Sequence, residues 1–172
     1  MSFAGNAVTF VMNEPIKLII AGSEAHFEDG KKLFREYAAS LPIDLAFQRF
    51  EEELDTVRAQ YGPPSGGLVL AYAGERAVGC AGVRSKGAGI AELKRMYVQP
   101  DFRGHKLGKL LLEQSVAIAK DLGYEKLRLD TLASMTGARR LYESFGFEVI
   151  PPYYANPHAD AIYMEKVLSD SV

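Results

Sequence analysis

The sequence predicts a mixed α/β domain, a mostly antiparallel central sheet flanked by helices, in the order β-α-α-β-β-β-α-β-α-β-β. Three observations carry this. Leu93, Met96 and Val98 form an apolar strand that Pro100 ends, because proline cannot donate to a ladder. Leu107, Leu110, Leu111, Ile118 and Leu122 then recur at helical spacing, and the strand KLRLDT comes next at 126–131, so a right-handed parallel crossover is expected there. Residues 68–98 read instead as strand, turn, strand, glycine-rich connection and strand, an antiparallel meander.

Taken in order, residues 1–7 read as a frayed terminus, Val8–Met12 as an extra edge strand and Asn13-Glu14-Pro15 as a turn. Ile16–Ala21 is apolar almost throughout, which marks a strand covered on both faces. Leu33, Phe34, Tyr37 and Ala38 give Glu28–Ser40 a helical period, broken by Pro42. Asp44 is placed to cap a second helix with apolar positions Leu45, Phe47, Phe50, Leu54 and Val57; the run Glu51–Glu53 on it reads as a solvated face. Residues 61–67 form a Gly/Pro-rich loop. Leu68–Ala73 and Ala77–Arg84 are strands around Gly74-Glu75-Arg76, and Ser85–Gly89 leads into Ala91–Val98. Apolar positions 93, 96 and 98 break strict alternation; a β-bulge near Lys94-Arg95 repairs it and frees backbone groups to meet a ligand. A helix beginning near His105 ends at Gly123, Ser134–Ser144 is a short helix closed by Gly146, Phe147–Ile150 is a strand, Pro151–Pro157 a tyrosine-rich loop and Ala161–Leu168 the last strand.

Residues 1–172 are enough for one domain with a real core, and the composition, 48 % hydrophobic and 24 % charged, is globular. A net charge of −2 gives no basic field for nucleic acid. The apolar run Ile16–Ala21 is too short for a membrane span and has no charged leader before it, so no membrane partner is expected. One cysteine, Cys80, excludes a disulfide framework, suits a cytoplasmic location and reads as a small buried residue. His26, His105 and His158 have no metal-ligand spacing, so no metal is expected.

Chemistry concentrates between Glu92 and Lys109. A basic, glycine-containing turn, RGHKLG, stands at a helix N-terminus directly after a strand. Unpaired N–H groups, the positive helix end and cationic side chains suit a phosphate there. An ordinary βα loop with solvated basic residues accounts for the same residues. There is no GxxxxGK[ST] and no GxGxxG, which excludes a Walker A loop and a dinucleotide fingerprint.

The strand ending MYV-Q-P, the turn RGHKLG, the strand RLDT and the segment ARRLYESFGF together resemble the GNAT superfamily of acyl-CoA-dependent N-acetyltransferases, in particular its bacterial members. The likeness covers roughly residues 16–168 and is most specific over 91–150. It implies acetyl-CoA as cosubstrate. The pyrophosphate is expected on the backbone of Arg103, Gly104, His105, Lys106, Leu107, Gly108 and Lys109, and the pantetheine arm beside Met96, Tyr97 and Val98. Lys109, Arg139 and Arg140 are candidates for the remaining phosphate. Two positions depart from the family pattern. Lys106 stands where glycine is usual, at a cost of about 1 kcal/mol if the turn needs positive φ. Met135 stands where an asparagine often contacts the pantetheine.

An amine attacking a thioester must be neutral, and the departing thiolate benefits from a proton donor. The resemblance puts Tyr142 at the general-acid position and Glu92 at a base position; a strand-surface carboxylate paired with Lys94 or Arg95 is an equal reading of Glu92. A backbone N–H around Met96–Val98 is expected to hold the oxyanion. Tyr37, Asp44, Phe47, Tyr153, Tyr154 and Asn156 are the candidate acceptor residues, with Asp44 or Glu51–Glu53 attracting a cationic amine. The expected activity is acetyl transfer to a primary amine of a small molecule, by a protein for which homodimers are common among similar chains. A protein amine as acceptor and a catalytically silent acyl-CoA sensor are the alternatives.

Overall fold

Alternation along one strand sets the layers. In β3 (Gly67–Ala73), Leu68 and Leu70 face one side of the sheet, Val69 and Ala71 the other, and all four are buried, so helices must cover both faces. The computed structural model describes residues 8–11 and 14–168. Its strands are β1 (Val8–Val11), β2 (Glu14–Ile20), β3, β4 (Arg76–Gly87), β5 (Ile90–Val98), β6 (Lys126–Leu132), β7 (Glu148–Ile150) and β8 (Ala161–Val167). They form one eight-stranded sheet in the order β1-β2-β3-β4-β5-β6-β8-β7. Every pairing is antiparallel except β5 with β6. The mixed fold, the meander and the parallel crossover are therefore as expected.

One face is covered by α4 (Leu107–Asp121), whose Leu107, Leu111, Leu112 and Ile118 pack on Val69, Val83, Leu93 and Leu127. The other is covered by α1 (Glu24–Ser40), α2 (Phe50–Asp55) and α3 (Val57–Tyr61), where Phe27, Phe34, Leu54 and Tyr61 pack on Leu68 and Leu70. A fifth helix, α5 (Thr136–Ser144), comes after β6. Cys80 is fully buried on the α1 side, where its Sγ donates to the Arg95 carbonyl at 3.2 Å, and burial pushes its thiol up, as a small core residue should behave.

Several boundaries differ from expectation for local reasons. Pro15 lies inside β2, opposite Phe10, rather than in a turn. Helix α1 starts at Glu24 because Ser23 caps it: Ser23 Oγ accepts the His26 N–H (3.2 Å) and His26 Nδ1 accepts the Ser23 N–H (3.4 Å), a box in which histidine replaces the usual Glu or Gln. Asp44 does cap, accepting the Ala46 N–H at 2.9 Å, but the element it caps is a short 3₁₀ turn over Leu45–Gln48. Arg49 at φ 57° then breaks the chain before α2. Helix α4 begins at Leu107, just after Lys106 at φ 63°, and α5 begins at Thr136. The expected terminus at 1–7, and residues 12 and 13 of the expected edge strand and turn, lie outside the described residues.

Candidate active site

Two features of β5 make the site. It pairs with β6 only over Ile90–Glu92 against Lys126–Arg128, while β6 continues along β8 to Leu132. A wedge therefore opens between 93–98 and 129–132. The expected bulge is present: Gly82 opposes Lys94 and Cys80 opposes Tyr97, with Arg95 at φ 57°. N–H groups alternate between the two edges of a strand. Since the Gln99 N–H donates to Val78 of β4, those of Val98 and Met96 face the wedge.

At one end the wedge meets a groove of about 420 Å³ between the RGHKLG turn and α5, lined by Val98, Arg103, Gly104, Lys106, Lys109 and Leu141 among others. Gly104 has φ +83° and open space where a Cβ would stand. Lys106 is the N-cap of α4 but offers no side-chain acceptor, and the first helical bond is Leu110 N–H to the Lys106 carbonyl, 3.1 Å. The N–H groups of Leu107, Gly108 and Lys109 thus point out of the helix end toward the groove, which favours an anion. Arg103 is held there by its Nε–H donating to the Val98 carbonyl at 2.9 Å. The Nε–H of Arg139, on α5, is buried without a hydrogen-bond partner among the described residues. Exposed cations and free N–H groups fit the phosphates of an acyl-CoA, and the apolar floor fits the methyl and methylene groups of its pantetheine arm.

In the middle is a narrow cavity of about 40 Å³, room for a few water-sized groups, lined by Leu93, Met96, Asp130, Met135, Tyr142 and Asn156 with Tyr37, Phe47, Gln48 and Lys94. Tyr142 is buried, its ring edge-on to Phe147, and its hydroxyl makes no hydrogen bond to another described residue. Burial pushes its phenol well above the ordinary range, so it keeps its proton at neutral pH.

At the other end lies a cavity of about 170 Å³ bounded by Arg49, Arg84, Lys86, Glu92, Lys94 and Tyr154, sharing Phe47, Gln48 and Lys94 with the central one. Beneath it the polar face of β5 and β6 carries a buried ion network. Arg95 binds Glu53 of α2 through Nε (2.9 Å) and an NH2 nitrogen (3.1 Å). Arg84 reaches Glu92 at 2.8 Å and Glu53 at 3.3 Å. Lys94 binds Asp130 at 3.1 Å and Gln48 at 3.3 Å. Tyr153 donates to Glu92 at 2.8 Å, and Tyr154 to Asp130 at 2.6 Å. Burial alone would raise both carboxyls, but Lys94, Arg84, Lys86 and the Tyr153 hydrogen bond hold Glu92 below its usual range, and Lys94 and Tyr154 do the same for Asp130. Burial pushes the Lys94 ammonium down, against the pull of Asp130 and Glu92.

The structure thus places the expected residues unevenly. Met96 and Tyr142 meet at the central cavity, and Val98, Arg103, Gly104, Lys106, Leu107, Gly108 and Lys109 meet at the groove. Tyr97 turns its ring to the α1 side, against Tyr37, so only its backbone borders the wedge. His105 is exposed and is not part of the groove wall. Tyr37, Phe47 and Asn156 line the central cavity and Tyr154 the outer one, while Tyr153 acts on Glu92. Asp44 is exposed and spent on its cap, and it lines neither cavity. Glu53, expected on a solvated face, is 1 % exposed, because it shares the Phe50–Leu54 side of α2. Glu92 and Tyr142 do not face one another: they line different cavities, and both Glu92 oxygens are occupied. Sequence reading missed Gln48, Lys86 and Asp130 as site residues. The available signal was polar alternation, Glu92/Lys94 and Arg128/Asp130, on central strands that helices cover. Among the described residues no group of three or more His, Cys, Asp or Glu is arranged to hold a metal, and no helix is long and apolar enough to cross a membrane.

Comparison with known proteins bears on the fold and the family. The acetyltransferase (GNAT) family description matches residues 31–147. An uncharacterised N-acetyltransferase of Schizosaccharomyces pombe is 41% identical over 144 residues, 83% of this chain and 88% of that protein. An acetyltransferase of the GNAT family from Staphylococcus aureus superposes with a TM-score of 0.72 at 21% identity, covering 90% of this chain and 99% of the other. The structure of yncA from Salmonella typhimurium, solved with its cofactor acetyl-CoA, superposes with a TM-score of 0.64 at 16% identity over 89% and 95% of the two chains.

Proposed function

The chain belongs to the acetyltransferase (GNAT) family and is an acetyl-CoA-dependent N-acetyltransferase, and from that premise we propose that it acetylates the primary amine of a small molecule in the cavity beside Tyr142. The observation that carries the reading is the placement of a buried, protonated phenol with an uncommitted hydroxyl at the open wedge of β5 and β6. The narrowness of that cavity favours a small acceptor.

Acetyl-CoA supplies an acetyl group activated as a thioester. Arg103, Lys106 and Lys109, with the N–H groups opening α4, hold its phosphates. The N–H groups of Met96 and Val98 face the wedge and polarise the acetyl oxygen, at no cost in reorganisation. Tyr142 donates a hydrogen bond, and then its proton, to the departing sulfur. Glu92 fits a positioning role better than the role of base: its oxygens serve Arg84 and Tyr153, and its low pKa makes it a weak acceptor of protons. Asp130 is similarly engaged by Lys94, Gln48 and Tyr154. The acceptor therefore leaves its ammonium proton to solvent and enters neutral, past Lys94. Once its nitrogen has bonded the acetyl carbon and the carbon–sulfur bond breaks, the proton that nitrogen sheds returns to the Tyr142 oxygen, which has given its own to the sulfur.

The test is Tyr142→Phe. Turnover, measured as thiol release, is expected to fall about 100-fold or more, while calorimetric affinity for acetyl-CoA stays within about twofold, since the hydroxyl contributes mainly in the transition state. Unchanged turnover across the pH range would remove Tyr142 from the reaction. Tight acetyl-CoA binding with no amine turned over by the wild type would instead favour a silent acyl-CoA sensor.

A further inference from the structure

Resting on the transferase reading, the charges around the outer cavity say more about the acceptor. The buried network closes on itself: three carboxylates, Glu53, Glu92 and Asp130, face three buried or half-buried cations, Arg84, Arg95 and Lys94. Two further cations stand at the mouth. Lys86 Nζ approaches Glu92 only at 3.9 Å and lies 5.5 Å and 5.7 Å from the ring centres of Tyr153 and Tyr154. Among the described residues Arg49 pairs only with the exposed Glu52, at 3.6 Å. Both line the cavity that shares Phe47, Gln48 and Lys94 with the cavity of Tyr142. Of the acidic residues expected to draw in a cation, Asp44 is committed to its cap, Glu53 to Arg95 and Glu52 to Arg49, and none of these, nor Glu51, lines this cavity.

We propose that the acceptor is an amino carboxylate, its carboxylate held at the outer cavity by Lys86 and Arg49, and its amine reaching past Gln48 and Lys94 to the cavity of Tyr142. Lys86 is held over two aromatic faces and so is partly ordered before binding, which lowers the entropic cost of engaging an anion. A monoanion suits the site better than a phosphate dianion, because the side chain of Arg49 is 79 % exposed and its charge is screened by solvent. An ammonium-rich acceptor such as a polyamine would place its second charge against Lys86, Arg49 and Arg84 at once.

The test uses initial rates of thiol release with matched pairs, an amino acid and its carboxamide, expressed per neutral amine. The wild type is expected to prefer the carboxylate by about tenfold in kcat/KM, the worth of one charge-assisted hydrogen bond. Lys86→Met should shrink that preference by about the same factor, through KM rather than kcat. Lys86→Glu should invert it, and Lys86→Arg should restore it. Because each variant is read as the ratio of the two substrates, a general loss of folding or of coenzyme binding cancels. Carboxamides or polyamines turned over as well as amino acids, or a ratio unmoved by Lys86→Met and Lys86→Glu, would overturn the subsite while leaving the transferase reading intact. If no amine is turned over although acetyl-CoA binds, amino acid binding to the coenzyme A-saturated protein decides: heat that Lys86→Met abolishes supports the subsite, and no heat, or heat unaffected by the variant, overturns it.

Discussion

The two ends of the β5–β6 wedge handle charge in opposite ways. At the coenzyme end Arg103, Lys106 and Lys109 are exposed, and the backbone at the start of α4 presents unpaired N–H groups. The one ion pair there among the described residues is the loose, exposed contact of Lys109 with Glu113 at 3.9 Å, so an incoming anion supplies most of the countercharge. At the acceptor end Glu53, Glu92, Lys94 and Arg95 are all buried and paired before any ligand arrives. Such pairs gain little net stability, because desolvation offsets attraction, yet removing one partner strands the other. The coenzyme end should therefore tolerate substitution with losses confined to binding. The acceptor end should lose its fold first.

The largest effect should come from Glu53→Ala. It leaves Arg95, at positive φ and 5 % exposed, without its bidentate partner, and weakens the hold on Arg84. A loss of about 3–5 kcal/mol in chemical unfolding is expected. Arg103→Ala, at the coenzyme end, should cost under about 0.5 kcal/mol as an exposed residue. Comparable losses for the two would erase the contrast.

Glu92→Gln sharpens it through pH. The Glu92 and Asp130 carboxyls are held below their usual range in the folded protein. Their contribution is therefore fully present above the unfolded values, about 4.3 and 3.9, and is lost as pH falls through the lower folded values. Wild-type stability should decline from about pH 5 downward. The variant should be less stable at pH 7, by about 1–3 kcal/mol, but show a shallower acid limb. An acid limb as steep as that of the wild type would mean that the clamp on Glu92 does not contribute to stability.

The same contrast governs how much could be read from sequence. The coenzyme end is local: strand, proline, basic glycine turn and helix run through residues 93–109, so propensity and spacing alone describe it. The bulge was legible too, as a slip in alternation between Leu93 and Met96. The acceptor end is assembled from pairs far apart in the chain, such as Arg95 with Glu53 and Gln48 with Tyr154. Their charges look like solvated faces until α1–α3 are placed over the sheet. Glu53 shows the difficulty. Its neighbours Glu51 and Glu52 are exposed, as an acidic run should be, and only its position beside Leu54 on the apolar stripe separates it from them.

Lys106→Gly is the smallest change and the most discriminating at the coenzyme end. Lys106 has φ 63° and ψ 17°, a left-handed conformation that costs a non-glycine residue about 1–2 kcal/mol. Glycine removes that strain but adds freedom to the unfolded chain, worth about 0.5–1 kcal/mol. The net gain in unfolding free energy should be about 0.5 kcal/mol, because the strain relieved is the larger of the two. Removing the lysine also removes one cation from the groove. If that cation meets a phosphate, acetyl-CoA affinity should fall about two- to fivefold at low ionic strength, and the deficit should fade as salt screens the contact. A more stable variant with unchanged, equally salt-sensitive binding would mean that the side chain points away from the coenzyme. The strain at this helix cap would then have no return in binding, and Arg103, Lys109 and the backbone N–H groups would account for the whole of the coenzyme end.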